Sequence, residues 1–189
     1  MSAYPIFLRL EGRLVVLVGG GRVACEKALP LLEAGAELRV VATKVDPELA
    51  RAAGDLRVRP FVPSDLDGAW LVVAAAPPEV NREVRAAADA RNVFVVAVDD
   101  VASCSAIGAA RLRRGGLTVA ISSDGRAPAL VALLRRAIEA LLPDDVEAWH
   151  ALAARARDDW KRAEVPMRER RPRLLAALNA LYSNGDHVS

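Results

Sequence analysis

Residues 13–24, which read Arg-Leu-Val-Val-Leu-Val-Gly-Gly-Gly-Arg-Val-Ala, decide the fold. Five consecutive apolar residues begin at Leu14, and most are β-branched, so they predict a strand that is buried on both faces. The glycines follow at once, and residues 22–34 then show the apolar spacing of a helix. A buried strand that leads through glycines into a helix is typical of a parallel α/β sheet.

The glycines form the motif Gly19-x-Gly21-x-x-Ala24. Glycine permits a tight turn and a close approach of a pyrophosphate, and the N-terminus of the following helix offers unpaired N–H groups to the anion. The motif predicts a dinucleotide site, and the alternative is a tight turn without a ligand. The predicted cofactor-binding residues of this segment are Gly19, Gly20, Gly21, Arg22, Val23 and Ala24.

Strands and helices alternate along the rest of the first half of the chain. Further strands are predicted at residues 37–42, 56–61, 70–76 and 93–98, with helices between them. This alternation predicts a Rossmann-type, doubly wound parallel sheet, whose ligands bind beyond the carboxyl ends of the strands. The glycines, Thr43, residues 74–76 and Asp99 are all expected at this edge.

The residues after the second strand leave the choice between NAD and NADP open. An acidic residue there would bind the ribose 2′-hydroxyl of NAD, but the sequence has Thr43 and Lys44. Thr43 or the backbone would then contact the ribose, whereas Lys44 or Arg22 would favour a 2′-phosphate. Thr43 and Lys44 are therefore added to the expected cofactor-binding residues.

Composition excludes several classes of function. The chain has 189 residues, a formal charge of +2 and 4% aromatic residues, which argues against duplex or single-stranded nucleic acid as a partner. No apolar run approaches 18 residues, and no signal peptide is visible, so no membrane partner is expected. Cys25 and Cys104 form neither a disulfide framework nor a metal site, and free thiols fit a cytoplasmic location.

Asp99 is the expected catalytic residue. The two histidines, His150 and His187, are better explained by packing or by exposure, so acid–base chemistry would depend on carboxylates. Asp99 follows the last buried strand of the sheet, where partial burial would make it a better proton acceptor near neutral pH. The alternative is that Asp99 or Asp100 caps a helix near residues 103–112.

The second half of the chain has a different pattern. Residues 105–114 are expected to be helical, and residues 117–122 to form a strand after Gly115-Gly116. Three helices are expected at residues 127–142, 145–163 and about 172–182.

Several motifs together resemble the N-terminal module of siroheme synthase, a precorrin-2 dehydrogenase that is often also a sirohydrochlorin ferrochelatase. The resemblance covers roughly residues 4–145, and the start of the chain and the Ser-Ser-x-Gly-x-x-Pro segment are its most specific parts. The matching stretches are Tyr4-Pro5-Ile6-Phe7-Leu8, Val18–Ala24 with Lys27, Leu32–Ala36, Val98-Asp99-Asp100, Leu117–Ala129 and Ile138–Pro143.

The resemblance implies that NAD⁺ accepts a hydride from precorrin-2, a tetrapyrrole, to give sirohydrochlorin. It implies that Asp99 is the general base and that Gly21, Arg22, Val23, Thr43 and Lys44 contact the adenosine and the pyrophosphate. Ser123 matches a serine near the tetrapyrrole pocket. The substrate carries many carboxylates, for which Arg126 is the expected anchor, alongside the candidates Arg111, Arg113 and Arg114.

The resemblance also implies a domain organisation. Residues 1–112 would form the NAD-binding Rossmann domain, residues 113–143 a dimerisation segment of a homodimer, and residues 144–189 a small all-helical C-terminal domain. Insertion of Fe²⁺ as a substrate into sirohydrochlorin is a second candidate activity. Ala76 stands where the family usually has threonine, so a hydroxyl near the nicotinamide or the ribose is lost. The alternative function is a non-catalytic, NAD-sensing regulatory module.

Overall fold

The computed structural model describes residues 3–183. The chain divides into two compact units. The first extends to Gly108 and includes Asp124–Arg126, and the second comprises Ala109–Ser123 and the chain from Ala127 onward. The boundaries at residues 112/113 and 143/144 that the sequence suggests remain predictions.

The first unit is a five-stranded parallel sheet flanked by helices, as expected for a Rossmann-type fold. The strand order is β3-β2-β1-β4-β5, so the chain reverses its direction of winding between β1 and β4. The elements are β1 (Leu14–Val18), α1 (Arg22–Glu33), β2 (Glu37–Ala42), α2 (Pro47–Ala52), β3 (Asp55–Val58), β4 (Leu71–Ala74), α3 (Pro78–Asp89) and β5 (Phe94–Ala97), with short 3₁₀ turns at Pro63–Leu66 and Val101–Ser103.

Strand β1 is the centre of the core, and both of its faces are buried, as its apolar run predicts. Val15 and Leu17 pack in one hydrophobic cluster with residues of α1. Val16 and Val18 pack in a second cluster with Val84 and other residues of α3. The alternating side chains of one strand therefore hold helices against both faces of the sheet.

A network of ion pairs connects β2, β3 and the 3₁₀ turn that follows β3. The side chain of Asp65 is fully buried, and its Oδ1 accepts hydrogen bonds from Arg57 at 2.6 Å and from Arg59 at 2.5 Å. Its Oδ2 accepts from Arg59 at 2.8 Å and from the Val62 N–H at 2.9 Å. These four hydrogen bonds replace those that water would donate to an exposed carboxylate, and they fix the path of residues 59–65.

These contacts decide the ionisation of Asp65. Burial raises the pKa of its carboxyl, but the hydrogen bonds from Arg59, the Val62 N–H and Arg57 outweigh burial and lower the pKa to about 2. The pKa of Asp55 is also lowered, chiefly because Arg39 donates a hydrogen bond to it at 2.6 Å. Both carboxylates are therefore charged at neutral pH.

The second unit begins with an antiparallel hairpin of β6 (Ala110–Arg114) and β7 (Leu117–Ile121). The expected helix over residues 105–114 is wrong. Gly115 and Gly116 both have positive φ, +52° and +78°, which is the backbone of a two-residue hairpin turn. Leu112 is buried between two exposed arginines, so its segment has the alternation of a strand.

Three helices complete the second unit: α4 (Pro128–Leu141), α5 (Val146–Arg162) and α6 (Met167–Ser183). Helix α6 begins at Met167 rather than near residue 172, and Pro172 lies inside it. Trp149 of α5 donates a hydrogen bond to the Tyr182 hydroxyl of α6 at 2.6 Å. Among residues 3–183, no helix combines the length and apolar character needed to cross a bilayer.

The substitution Asp65→Asn tests the ion-pair network. It removes a buried charge from between Arg57 and Arg59, so we expect the free energy of unfolding at pH 7 to fall by about 3 kcal/mol. The folded-state pKa of Asp65 lies below the unfolded value of 3.8. Its ionisation therefore contributes stability above pH 4, about 2 kcal/mol, which is lost as the pH falls from about 4 towards 2.

Urea titrations at pH 7, 4 and 3 measure both effects. The matched control is Asp67→Asn, which breaks the exposed pair with Arg91 and is expected to cost less than about 1 kcal/mol. Equal stability of the two variants at pH 7 would contradict the assigned role of Asp65.

Candidate functional site

The glycine loop lies at the carboxyl edge of the sheet, pressed between the ends of β2 and β4. The Gly19 N–H donates to the Val41 carbonyl at 3.0 Å, and the Ala75 N–H donates to the Val18 carbonyl at 2.8 Å. A Cβ at Gly19 would lie 2.2 Å from the Ala75 carbonyl oxygen. A Cβ at Gly20 would lie 2.0 Å from the Lys44 carbonyl oxygen. Glycine is therefore needed at both positions for packing alone.

Gly21 differs from its two neighbours, because a Cβ there would have no atom within 4 Å. It is the N-cap of α1, and the first backbone hydrogen bond of the helix runs from the Cys25 N–H to its carbonyl at 3.1 Å. The N–H groups of Arg22, Val23 and Ala24 precede that bond, and the first turn of the helix holds no acidic residue. Open space in front of such a helix end fits a bound pyrophosphate.

A cavity of about 350 Å³ opens at this edge, within the volume range of small-molecule sites. The ends of β1, β2, β3 and β4 all contribute to its wall. The lining residues include Gly19–Gly21, Thr43–Lys44, Arg59–Phe61 and Ala75–Pro77, with Val80 and Glu83 of α3. The residues present thus fit a dinucleotide such as NAD(P).

The structure brings five of the eight expected cofactor-binding residues into the cavity wall: Gly19, Gly20, Gly21, Thr43 and Lys44. The other three do not line it. Arg22 is exposed and pairs with Glu26 at 3.2 Å, and Val23 is also exposed. Ala24 is buried in the core, where its small side chain lets α1 approach the sheet.

Arg59, Pro60 and Phe61 form a wall of the cavity that was not among the expected site residues, and neither was Asn81, which supports the loop after β4. Asn81 is buried, and its Oδ1 accepts a hydrogen bond from the Ala76 N–H at 3.3 Å, which holds the loop after β4. The structure ends β3 at Val58, so Pro60-Phe61 lies beyond this strand rather than within the strand predicted over residues 56–61. The end of that predicted strand was the available signal, since ligands gather at strand ends.

Asp99 follows β5 and does not line the cavity. Its φ is +58°, in the left-handed region that aspartate tolerates better than most residues. The Val98 N–H donates to the Ala74 carbonyl at 2.8 Å, which ties this loop to β4. The side chain of Asp99 is exposed, so the partial burial expected from the sequence is wrong.

Asp100, rather than Asp99, is the capping residue. Its carboxylate accepts a hydrogen bond from the Ser103 N–H at 3.2 Å, and it caps the 3₁₀ turn Val101–Ser103. The hydrogen bonds from Ser103 and the neighbouring backbone lower the pKa of Asp100. The capping alternative therefore applies to Asp100, which leaves the Asp99 carboxylate available for other contacts.

Cys104 fastens the end of the same loop. Its Sγ accepts a hydrogen bond from the Ala97 N–H at 3.2 Å and lies 3.3 Å from the Ala97 carbonyl oxygen. Burial raises the pKa of Cys104, so it remains a neutral thiol. Its contacts are structural, and they hold the backbone on both sides of Asp99.

The two expected substrate-binding residues belong to different units. Ser123 lies in the second unit, where its Oγ accepts a hydrogen bond from the Ala127 N–H at 2.9 Å. Arg126 lies in the first unit, is largely exposed, and is 3.8 Å from the Asp124 carboxylate. No contact of either residue with the cavity is present among the described residues.

The fold and the glycine cradle define a Rossmann-type dinucleotide-binding domain. A family model described as "Putative NAD(P)-binding" matches residues 6–110, and one described as "Sirohaem biosynthesis protein central" matches residues 114–141. The chain belongs to this NAD(P)-binding family, in the form of the siroheme synthase N-terminal module.

Two relatives named siroheme synthase match all or nearly all of this chain. Siroheme synthase 3 of Aeromonas hydrophila subsp. hydrophila is 44% identical over 199 residues, which cover 100% of this chain and 42% of the relative. Siroheme synthase of Photorhabdus laumondii subsp. laumondii is 42% identical over 188 residues, which cover 97% of this chain and 40% of the relative. The chain thus spans about two fifths of the length of these relatives.

A solved structure shares the fold. The chain of SirC, precorrin-2 dehydrogenase, superposes with a TM-score of 0.72 at 23% sequence identity, over 92% of this chain and 88% of that one. The alternative of an NAD-sensing regulatory module is not favoured, since the relatives are siroheme synthases.

Two glycine substitutions separate cofactor binding from packing. In Gly21→Ala the backbone angle φ of −88° suits alanine and the Cβ meets no atom, so we expect stability within about 1 kcal/mol of wild type. The added methyl occupies the space for the pyrophosphate, so NAD⁺ affinity should fall at least about tenfold. Calorimetric titration with NAD⁺ and urea unfolding measure the two quantities.

The matched variant is Gly20→Ala, whose Cβ collides with the Lys44 carbonyl. We expect it to lose about 3 kcal/mol of stability. Unchanged NAD⁺ affinity in Gly21→Ala would instead support the alternative of a tight turn without a ligand.

Proposed function

We propose that the chain is an NAD-dependent dehydrogenase that oxidises precorrin-2 to sirohydrochlorin in siroheme biosynthesis. The observation that carries the proposal is the cofactor cradle at the carboxyl edge of the sheet, the same edge at which Asp99 follows the end of β5. The siroheme synthase relatives support the pathway, and the name of the SirC neighbour supports this reaction over others.

The proposed reaction removes a hydride and a proton from the substrate. NAD⁺, when bound in the cradle, supplies the hydride acceptor. The carboxylate of Asp99 accepts the proton, so that two electrons and two hydrogens leave precorrin-2 in balance. The exposed side chain and the fixed backbone of Asp99 support this role, since a general base must reach the substrate from a held position.

Substrate binding is proposed for Ser123 and Arg126. The substrate carries many carboxylates, and a guanidinium binds a carboxylate with two parallel hydrogen bonds. The exposure of Arg126 and its long distance to Asp124 support such a role, because little of its hydrogen-bonding capacity is used within the chain.

Insertion of Fe²⁺ into sirohydrochlorin is a second proposed activity, in which Fe²⁺ is a substrate. The observation that favours it is the exposed carboxylate of Asp99, which could also accept the pyrrole protons that a metal ion displaces.

A cytoplasmic location is proposed on the basis of Cys25 and Cys104, which are free thiols.

A homodimer is proposed through residues 113–143, with residues 144–189 as a helical domain, of which residues 184–189 lie outside the described part of the chain. The support is an exposed apolar surface on α4, because isolated monomers rarely expose contiguous leucines. The exposed side chains are Leu130, Leu133, Leu134 and Leu141.

Leu133→Asp tests the dimer. Leu133 is 65% exposed in the chain, so the variant should fold, but a charge at a packed interface is costly and should shift the protein to monomer. Sedimentation at micromolar concentration measures the mass. The control is Leu29→Asp, at an exposed leucine of α1. A wild-type monomer, or a dimer that Leu133→Asp leaves intact, would contradict the proposal.

Asp99→Asn tests the catalytic role. Asparagine accepts the left-handed backbone, so the loop should keep its shape while the base is lost. We expect turnover of precorrin-2 with NAD⁺, followed by sirohydrochlorin absorbance, to fall at least about 100-fold. NAD⁺ affinity should not change, because Asp99 lies outside the cavity wall.

The control is Asp89→Asn, at an exposed aspartate of α3, which should keep full activity. Normal turnover in Asp99→Asn would remove Asp99 from the mechanism.

A second experiment tests metal insertion by adding Fe²⁺ to sirohydrochlorin with and without wild-type protein. Equal rates in that experiment would restrict the chain to dehydrogenation.

A further inference from the structure

We propose that Arg59 forms the wall of the cavity that contacts the adenine of the cofactor. The flat face of its guanidinium would stack on the adenine, while hydrogen bonds to Asp65 hold the guanidinium in place. This inference rests on NAD(P) binding alone and is independent of the tetrapyrrole substrate.

The position of Arg59 follows from the strand order. It comes directly after β3, which pairs with β2 in the sheet. Thr43 comes directly after β2, and all these residues line the same cavity. In doubly wound sheets, the end of the second strand receives the adenosine ribose, so the neighbouring end of β3 is on the adenosine side.

The hydrogen bonds of Arg59 decide how it can meet a ligand. Its Nη1 donates to Asp65 at 2.8 Å and to the Pro60 carbonyl at 2.9 Å, and its Nη2 donates to Asp65 at 2.5 Å. These contacts lie in the plane of the guanidinium and use its forked end. What Arg59 can offer to the cavity is then mainly the flat face of the group, which suits stacking on a purine.

Charge compensation argues against a phosphate ligand for Arg59. Asp65, which Arg59 shares with Arg57, offsets part of its charge, and the Nη1–Nη2 fork that would grip a 2′-phosphate is already bound to that carboxylate. The planar guanidinium can stack on an aromatic face, and such stacking would serve the adenine of NAD⁺ and of NADP⁺ equally. Arg59 would therefore contribute to affinity for both dinucleotides.

Arg59→Ala and Arg59→Lys test the stacking directly. Calorimetric titration with NAD⁺, NADP⁺ and AMP should show a loss of about tenfold in affinity for all three in Arg59→Ala. Lysine keeps the charge but lacks the plane, so Arg59→Lys should not restore the affinity. Thermal unfolding of each variant shows that the protein is folded under the conditions of the titration.

The matched control is Arg57→Lys. Arg57 also donates to Asp65, but it does not line the cavity, so this variant should bind all three ligands as the wild type does. Unchanged binding in Arg59→Ala overturns the proposal. So does a loss confined to NADP⁺, which would mean phosphate recognition, and so does an equal loss in Arg57→Lys, which would mean a purely structural role. None of these titrations contains a tetrapyrrole, so their outcome does not depend on the proposed reaction.

Discussion

The structure of the first unit depends on the contact of three backbone segments at the end of β1. Gly19 and Gly20 lie so close to the Ala75 and Lys44 carbonyls that no side chain fits between them. This contact brings the ends of β2 and β4 against the glycine loop that precedes α1. The cavity exists because the backbone is closed there at two residues and open at the third, Gly21. Packing and ligand access are thus assigned to adjacent residues of one short loop.

The β3 end and the β5 end of the carboxyl edge of the sheet are fixed by different means. On the β3 side, the buried Asp65 holds two arginines and a backbone N–H, which gives polar residues a rigid arrangement next to solvent. On the β5 side, the thiol of Cys104 and the cap made by Asp100 hold the loop that carries Asp99. Charged pairs thus determine the shape of the β3 wall of the cavity, whereas short local hydrogen bonds determine the shape of the loop that carries Asp99.

Periodicity and glycine positions predicted the parallel sheet, because the run Leu14–Val18 and its repeats each determine their own strand. They also predicted that Thr43 and Lys44 lie at the carboxyl edge, where both residues line the cavity, because both follow a strand directly. Arg59 was missed because its closeness to Thr43 depends on the order of β3 and β2 in the sheet, which no local pattern contains. Residues 105–114 look helical in the sequence, but the pairing of β6 with β7 across Gly115-Gly116 makes the end of this segment a strand.

The three tryptophans are divided between the two units, which has an optical consequence. Trp70 belongs to the first unit, where the guanidinium of Arg13 lies 3.9 Å from its ring centre, and Trp149 and Trp160 belong to α5 of the second. Trp70 precedes β4 and so lies at the amino edge of the sheet, away from the cofactor cradle. Each unit therefore contains its own natural fluorophore. The emission of Trp70 reports on the integrity of the sheet, and Trp70 lies at the edge of the sheet opposite the cofactor cradle.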